Sequence, residues 1–248
     1  MSAYGDLAPF YDGLTGDVDY EAFAGFYEKV FSMYAVYPET VLDLACGTGT
    51  LTCLLAQRGY EMIGTDASAD MLSVAQTKAG ELSESAKQPM FLCQPMEELD
   101  LYGTVGAVVC SLDGLDYVPA NVLPEVFRRL HLFIEPGGVL VFDVNTPEKL
   151  RGLDGQMFVD ENDDVFCVWR AEFDEEENAC FYGMDIFSRA EDMWERSFEE
   201  HVEYAHGDKL LCGLLEQAGF SEIRVFEEGT DDAMPQDGGR IFISARRK

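Results

Sequence analysis

The chain has 248 residues, of which 47% are apolar, and its formal net charge is −30. This length and apolar content suffice for one well-buried α/β domain, and no run of about 18 apolar residues predicts a membrane span. The negative charge repels phosphate backbones and argues against a nucleic-acid substrate, although its simplest role is to keep the protein soluble.

The seven cysteines form an odd set without a C-x-x-C pair. We predict that those in apolar segments are small buried hydrophobes rather than disulfide partners or metal ligands, and we expect no metal site. The first residues lack the basic and apolar pattern of a secretory signal, so we expect a cytoplasmic protein. The cysteines in apolar segments are Cys46, Cys53, Cys93, Cys110 and Cys212.

The first predicted helix covers residues 20–37, with Asp19 as its cap and Pro38 at its end. Apolar side chains recur along it at helical spacing, which is typical of a core-facing helix. A short aromatic segment, Tyr4 to Gly16, contains Tyr11 and precedes the helix, and we call it the N-terminal segment.

A glycine-rich turn follows the first predicted strand, which starts near Thr40. The run Val41 to Leu44 is apolar apart from Asp43, and Gly47 and Gly49 lead into an apolar helix. Glycines let a backbone approach a ligand, and free N–H groups at a helix start favour electron-rich partners. The plainer interpretation is an ordinary strand-to-helix turn.

A second predicted strand, residues 61–66, ends at Asp66, about 20 residues beyond the glycines, which is the spacing of a nucleoside site. The acid can accept hydrogen bonds from both ribose hydroxyls. A dinucleotide site would need a third glycine where this chain has Thr52. Asp43, just before the turn, would repel a pyrophosphate but suits a cationic ligand.

The run from Asp43 to Gly49 resembles the first motif of class I S-adenosylmethionine (SAM) dependent methyltransferases, and Asp66 to Leu72 resembles their second motif. The resemblance covers roughly residues 4–246. It implies an α/β, Rossmann-like fold with a mostly parallel seven-stranded sheet and helices on both faces. It also implies SAM as the cofactor, with Asp66 on the ribose and Ala67 and Met71 on the adenine.

Further cofactor contacts follow from the same resemblance. The first glycine turn would carry the methionine part of SAM, the backbone of Cys110 would touch that part, and the N-terminal segment would fold over the cofactor. The candidate cofactor-binding residues are Tyr11, Tyr20, Ala45, Cys46, Gly47, Gly49, Asp66, Ala67, Met71, Gln94, Met96 and Cys110.

The segment after the third predicted strand, residues 90–94, departs from the family pattern. Many relatives place an Asp there to accept a hydrogen bond from the adenine amino group, but this chain has Pro95, which offers neither a side-chain acceptor nor an N–H. The amino group must then find Gln94, Glu97, a backbone carbonyl or water, and the N–H of Met96 remains for the adenine ring. We expect a loss of about 1–3 kcal/mol of binding if nothing substitutes.

The fourth predicted strand, residues 105–110, precedes the candidate substrate-pocket residues Asp113, Asp116 and Tyr117. Ligands of open α/β sheets bind beyond the carboxyl ends of the strands, so this segment should lie beside the transferred methyl group. The alternative is a helix-entry turn with solvated acids.

Aromatic and apolar residues alternate with acids between residues 156 and 205, which predicts antiparallel strands with one solvent-exposed face. This insertion resembles the lid of small-molecule methyltransferases, and a dimerisation sheet is the alternative. His201, near its end, is a candidate to accept a proton from a substrate amine. We predict a SAM-binding domain over 1–155 and 206–248, a lid over 156–205, and a final antiparallel strand pair.

The predicted function is SAM-dependent methyl transfer to a small-molecule N- or O-nucleophile, with an amine favoured. No catalytic residue is assigned, because aligning the nucleophile and excluding water are the main requirements of this displacement. The alternative functions are those of a methyltransferase acting on protein or RNA, a non-catalytic binder of SAM or S-adenosylhomocysteine, and a nicotinamide-dependent oxidoreductase. We expect a small-molecule substrate, no nucleic-acid or membrane partner, and a monomer or homodimer.

Overall fold

The computed structural model of the chain describes residues 4–191, 193–226 and 239–248. Its helices are α1 (Tyr11–Leu14), α2 (Tyr20–Met33), α3 (Thr50–Gln57), α4 (Ala69–Gly80), α5 (Leu123–Phe133), α6 (Pro147–Gly152) and α7 (Asp208–Ala218). Two 3₁₀ turns cover Met96–Glu98 and Gly114–Tyr117. The predicted loop over 228–239 lies outside the described residues, apart from Gly239.

The larger sheet has seven strands in the order β10-β11-β5-β4-β1-β2-β3. Strands β1 to β5 run parallel, and β11 is antiparallel to both β5 and β10. The predicted fold class and the terminal antiparallel pair are therefore confirmed. The strands are β1 (Thr40–Leu44), β2 (Glu61–Asp66), β3 (Met90–Cys93), β4 (Val105–Cys110), β5 (Ile134–Asn145), β10 (Phe220–Phe226) and β11 (Arg240–Arg247).

Helices cover both faces of this sheet. Apolar side chains of α5 and α7 pack on one face, and those of α2 and α3 pack on the other. The order of the parallel strands reverses between β1 and β4, and in open α/β sheets that switch point is where ligands bind. Within the described residues, no helix combines the length and hydropathy needed to cross a membrane.

A second sheet of four antiparallel strands has the order β6-β7-β8-β9. These strands are β6 (Met157–Glu161), β7 (Val165–Asp174), β8 (Ala179–Ala190) and β9 (Met193–Tyr204). One face buries Cys167, Met184 and Ile186 against Leu7 and the aromatic residues of the N-terminal segment. This packing ties the start of the chain to the second sheet.

Some acids of β9 do not lie on the solvent-exposed face, where the sequence predicted them. Glu199, His201 and Glu203 alternate along the strand and are buried, whereas Trp194 and Phe198 are exposed. Polar residues can occupy an inward face when partners satisfy them, and the N-terminal segment and β5 supply such partners here.

Three local predictions need correction. β3 is an edge strand rather than a buried one, so Met90 and Cys93 are exposed. The first long helix ends at Met33, because Ala35 is left-handed (φ 52°) and the Val36 N–H donates to the Phe31 carbonyl at 2.9 Å, which closes the helix C-terminus.

The third correction concerns α7. Gly207, not Asp208, occupies the N-cap position, and Asp208 is the first helical residue. Its charge there still complements the positive end of the helix dipole.

Candidate functional site

The two glycines after β1 meet different surroundings. A Cβ added at Gly49, whose φ is +71°, would lie 2.8 Å from the Ala75 Cβ and 3.3 Å from the Phe91 ring. A Cβ at Gly47 (φ +53°) would meet nothing within 4 Å. Gly49 therefore permits the close packing of the turn on α4 and β3, and Gly47 leaves space where a ligand can approach.

A cavity of about 390 Å³ opens at the carboxyl ends of β1, β2 and β4. Ligand pockets commonly measure about 300–1,000 Å³, so the cavity has room for a small cofactor. The predicted site residues that line it are Tyr11, Tyr20, Ala45, Cys46, Gly47, Asp66, Ala67, Met71, Gln94, Met96 and Tyr117.

Five predicted residues do not line this cavity. Gly49 faces α4, as described above, and the Cys110 side chain is fully buried in the core of the sheet. Asp113, Asp116 and His201 lie outside the lining, and each has a polar partner, which is Arg240, the Asn145 N–H and Glu199, respectively.

Asp66 ends β2 with its carboxylate held by two backbone groups. The N–H of Gly47 donates to Oδ2 at 2.9 Å, and the N–H of Ser68 donates to Oδ1 at 2.8 Å. Burial raises the pKa of Asp66 in spite of these bonds. Each carboxylate oxygen has two lone pairs, so the oriented group retains capacity for further donors such as ribose hydroxyls.

Asp43 lies deeper in the cavity wall and is 2% exposed. Its Oδ2 accepts a hydrogen bond from the Thr52 hydroxyl at 2.5 Å. Burial raises the pKa of Asp43 to about 7, a shift that the Thr52 bond opposes and the nearby Asp66 charge reinforces. A buried carboxylate of this kind favours a cationic partner.

The side-chain amide of Gln94 is engaged beside the cavity. The Asp100 N–H donates to its Oε1 at 2.9 Å, and its Nε2 donates to the Asp100 carbonyl at 3.3 Å. Pro95, Met96 and Glu97 complete this wall. The Gln94 amide therefore fixes the loop geometry rather than projecting as a free group toward the cavity.

The N-terminal segment covers the glycine turn through Asp12. Its carboxylate pairs with Lys78 Nζ at 2.6 Å and accepts hydrogen bonds from the hydroxyls of Thr48 (2.6 Å) and Thr50 (3.2 Å). These contacts place α1, with Tyr11, over the cavity. Tyr4, from the same segment, also lines the cavity and was not predicted from the sequence.

The turn after β4 is conformationally strained. Leu112 and Asp113 both have positive φ, 55° and 57°. The Asp143 carboxylate accepts both of their N–H groups, at 3.0 and 3.1 Å, and Arg240 Nη1 pairs with Asp113 at 2.7 Å and with Asp143 at 2.5 Å. Strained backbone of this kind persists when its surroundings over-determine it, and it clusters at functional sites.

Two tyrosines of the cavity lining, Tyr4 and Tyr117, lie against His201 of the second sheet. Tyr117 and Tyr4 are hydrogen-bonded through their phenol oxygens, and the Tyr4 ring lies 4.4 Å, centroid to centroid, from the His201 ring. His201 Nε2 is 3.1 Å from Glu199 Oε2.

Glu199 anchors the N-terminal segment to β9. It accepts the N–H groups of Tyr4, Asp6 and Leu7 at 2.6–3.1 Å. Burial alone would raise the pKa of Glu199, but the bonds from His201 and from the backbone outweigh it and lower the pKa. We therefore expect this carboxylate to be ionised at neutral pH.

Sequence reasoning missed Tyr4, Asn145, Glu199, Glu203 and Arg240. One signal was available: Glu199, His201 and Glu203 stand two residues apart in a predicted strand and therefore share one face. A polar face shared by three ionisable groups could have been recognised, but its burial depends on which face of the strand meets the other sheet.

This topology, with a glycine turn and an acid around one cavity, defines a class I SAM-dependent methyltransferase. Residues 41–138 match the family model of the methyltransferase domain. YqeM of Bacillus subtilis (strain 168), provisionally named a methyltransferase, is 30% identical over 98% of this chain and 97% of its own length. The chain belongs to this methyltransferase family.

Two solved structures support the same assignment. A SAM-dependent methyltransferase from Clostridium acetobutylicum ATCC 824 is similar with a TM-score of 0.81 and 26% identity over 99% of both chains. The sugar N-methyltransferase KedS8 from Streptoalloteichus sp ATCC 53650 has a TM-score of 0.79 and 21% identity over 100% of this chain and 97% of its own, a likeness of fold.

Proposed function

We propose that the protein transfers the methyl group of SAM to a nitrogen of a small molecule. The observation that supports this proposal is the set of buried carboxylates, Asp116 and Glu203 among them, beside the Tyr4–Tyr117 pair at the cavity's edge. Groups of this kind suit a cationic or donor-rich acceptor. The sugar N-methyltransferase with the same fold supports an amine over a hydroxyl.

We propose that Asp66 holds the ribose hydroxyls of SAM and that Ala67 and Met71 pack on its adenine. Asp43 would face the cationic part of the cofactor, and the rings of Tyr11 and Tyr20 would cover it. Ala45, Cys46, Gly47 and Met96 would contribute backbone or apolar contacts. Gly49 and Cys110 would act behind this lining by fixing the turn and the strand end.

SAM, when bound, would supply an activated methyl group to the acceptor nitrogen. The chain's own task is to orient the nucleophile, exclude water and receive one proton from the nitrogen. The Tyr4–Tyr117 pair would exclude water, and the carboxylates behind it would accept the proton.

We propose that the four-stranded sheet is a lid, so that 156–205 forms an insertion in a SAM-binding domain of residues 1–155 and 206–248. The N-terminal segment packs on one face of this sheet and at the same time covers the cavity, which supports a role in enclosing the acceptor. A monomer or homodimer in the cytoplasm remains our prediction.

A small-molecule substrate is favoured over RNA because the net charge is −30. An RNA substrate would need an electropositive surface to offset its phosphates. An acidic field would instead attract protonated amines.

Isothermal titration with SAM and S-adenosylhomocysteine, followed by a transfer assay, tests the proposal. We expect micromolar binding of both, and methyl transfer to glucosamine but not to its matched non-amine, glucose. Transfer to glucose at an equal rate would replace the amine with a hydroxyl acceptor. Binding without transfer to a broad panel of amines would contradict the proposed function.

A further inference from the structure

The N-terminal segment begins with a residue whose backbone is strained. Tyr4 has a φ of 66°, in the left-handed region that residues with a side chain rarely adopt. Strained backbone persists where neighbouring groups hold it, and it is concentrated at ligand clamps and active sites. Tyr4 also lines the cofactor cavity, so the group that holds its backbone affects one wall of that cavity.

Glu199 of β9 is the group that holds the Tyr4 backbone. Its Oε2 accepts the Tyr4 N–H at 3.0 Å, and its Oε1 accepts the N–H groups of Asp6 at 2.6 Å and of Leu7 at 3.1 Å. The His201 ring, 3.1 Å from Oε2, is a fourth partner, and Glu199 is buried. Hydrogen bonds to an ionised carboxylate are among the stronger ones in proteins, so these contacts fix the start of the segment.

The side chain of Tyr4 carries this contact to the cavity. Its hydroxyl is hydrogen-bonded to that of Tyr117, and both residues line the cavity. Its ring packs edge-on against the Tyr11 ring, with centroids 5.8 Å apart, and Tyr11 is also part of the lining. A shift of the Tyr4 backbone would therefore separate Tyr4 from Tyr117 and open this wall.

Glu199 can affect the cavity through Tyr4 rather than through its other backbone partners. Asp6 and Leu7 lie outside the lining, and Leu7 is buried against the second sheet. Tyr11 is next to Asp12, whose contacts with the glycine turn hold that part of the segment independently. The N-terminal segment is thus attached at two points, and Tyr4 belongs to the one that Glu199 makes.

We propose that Glu199 is a positioning residue that retains the cofactor by holding Tyr4 against Tyr117. Each turnover requires S-adenosylhomocysteine to leave and SAM to enter, and the opening of such a wall sets the rate of many enzymes. The inference rests on the proposed placement of SAM in this cavity. It applies equally to an amine and to a hydroxyl acceptor, because it concerns the exchange of the cofactor.

Glu199→Gln removes the Tyr4 contact selectively. A side-chain amide has one oxygen and one NH₂ group, and the NH₂ cannot accept a hydrogen bond. We expect the amide oxygen to face Asp6 and Leu7, because it then accepts two N–H groups. The NH₂ then replaces the oxygen that accepts the Tyr4 N–H, and it can donate to His201 in the matching tautomer. The variant therefore keeps two backbone bonds and frees Tyr4.

The test measures the release of S-adenosylhomocysteine from the full-length protein by stopped flow. We expect Glu199→Gln to speed release at least about fivefold, because a charge-assisted bond is lost. Glu200→Gln is the matched control and should leave the rate unchanged, because Glu200 lies on the opposite, exposed face of β9. Glu199→Asp, which withdraws the carboxylate by one methylene group, replaces Glu199→Gln if the latter fails to fold, and the same acceleration is expected.

A double-mutant cycle separates positioning from a general loosening of the second sheet. Tyr4→Ala removes the side chain that Glu199 positions, and we expect it to speed release by itself. In the Tyr4→Ala background, Glu199→Gln should then change the rate less than about twofold. An acceleration as large as in the Tyr4 protein would show that Glu199 only supports the sheet, and it would overturn the inference, as would unchanged release by Glu199→Gln alone.

An equilibrium titration with S-adenosylhomocysteine on the same samples separates this inference from the proposed function. Intact binding by a Glu199→Gln variant whose release rate is unchanged would reject the role of Glu199 and leave the cofactor site in place. Absence of binding by the unsubstituted protein would reject the placement of SAM and this inference together.

Discussion

The Thr52 hydroxyl donates a hydrogen bond of 2.5 Å to the Asp43 carboxylate, which joins the first turn of α3 to the end of β1. Thr52 occupies the position where a dinucleotide-binding turn would have its third glycine. The side chain that argues against a pyrophosphate thus also supports the buried acid that favours a cationic ligand.

Because Asp43 is buried, we predict that the stability of the protein depends on pH. Its pKa of about 7 in the folded chain exceeds the value of about 3.9 in an unfolded one, so stability falls as pH rises between these values. The loss approaches roughly 4 kcal/mol as an upper bound. We expect Asp43→Asn, which keeps an acceptor for Thr52, to raise the free energy of unfolding at about pH 8 and to change it little at about pH 4.

Urea unfolding of the ligand-free protein at the two pH values checks this prediction. Asp163→Asn is the control, because Asp163 is exposed in a turn outside the helices and its replacement should change the free energy of unfolding little at either pH value. A gain for Asp43→Asn that is the same at both pH values would contradict the role of ionisation.

We predict that replacing Asp66 specifically weakens cofactor binding. We expect Asp66→Ala to weaken SAM binding roughly 10- to 100-fold, because charge-assisted hydrogen bonds contribute about 1.5–3 kcal/mol. Isothermal titration measures the change, with Asp70→Ala as the control. An unchanged dissociation constant in a folded variant would reject Asp66 as the ribose ligand.

A methyl group added at Gly47 should lower the stability of the protein less than one added at Gly49. Gly47→Ala places a left-handed alanine in open space and should cost about 1–2 kcal/mol of stability. Gly49→Ala adds a clash with Ala75 and Phe91, and we expect it to cost at least about 1 kcal/mol more. Urea unfolding of the ligand-free variants compares them, and equal losses would show that the packing around Gly49 adjusts without penalty.

We predict that the contacts of Asp12 slow the release of the cofactor. Asp12 and Lys78 are partly exposed, so their pair contributes modestly, about 0.2–1 kcal/mol. We expect Asp12→Ala to speed the release of S-adenosylhomocysteine about two- to fivefold by freeing α1. Stopped-flow dissociation measures this rate, and Asp17→Ala, at an exposed acid just after the same segment, should leave it unchanged.

The cofactor half of the site was largely predictable from the sequence. A turn between an apolar strand and an apolar helix is a local feature, so Gly47 and Asp66 could be placed near one another from spacing, and the resemblance to the second family motif added Met71. The lining of the cavity contains all three. Gly49 was recognised as part of the turn, but its packing against Ala75 and Phe91 requires the neighbouring helix and edge strand to be in place.

The acceptor half could not be predicted in the same way. Tyr4 meets Tyr117 across 113 positions of the chain, and Asn145 meets Glu203 across 58. The aromatic and acidic alternation of β9 indicates a two-faced strand, but not which face is buried. That choice depends on the partners available to satisfy buried acids.

The sequence by itself determined the antiparallel character of the second sheet, because hydrophobic alternation is a local property, and its two motifs indicated the fold class and the cofactor through their resemblance to a known family. Only the tertiary structure decided that Glu199 and Glu203 point inward, that Arg240 holds the strained turn at Asp113, and that the hydroxyls of Tyr4 and Tyr117 meet at the cavity. These depend on long-range packing, which sets burial and therefore the energy of every charge.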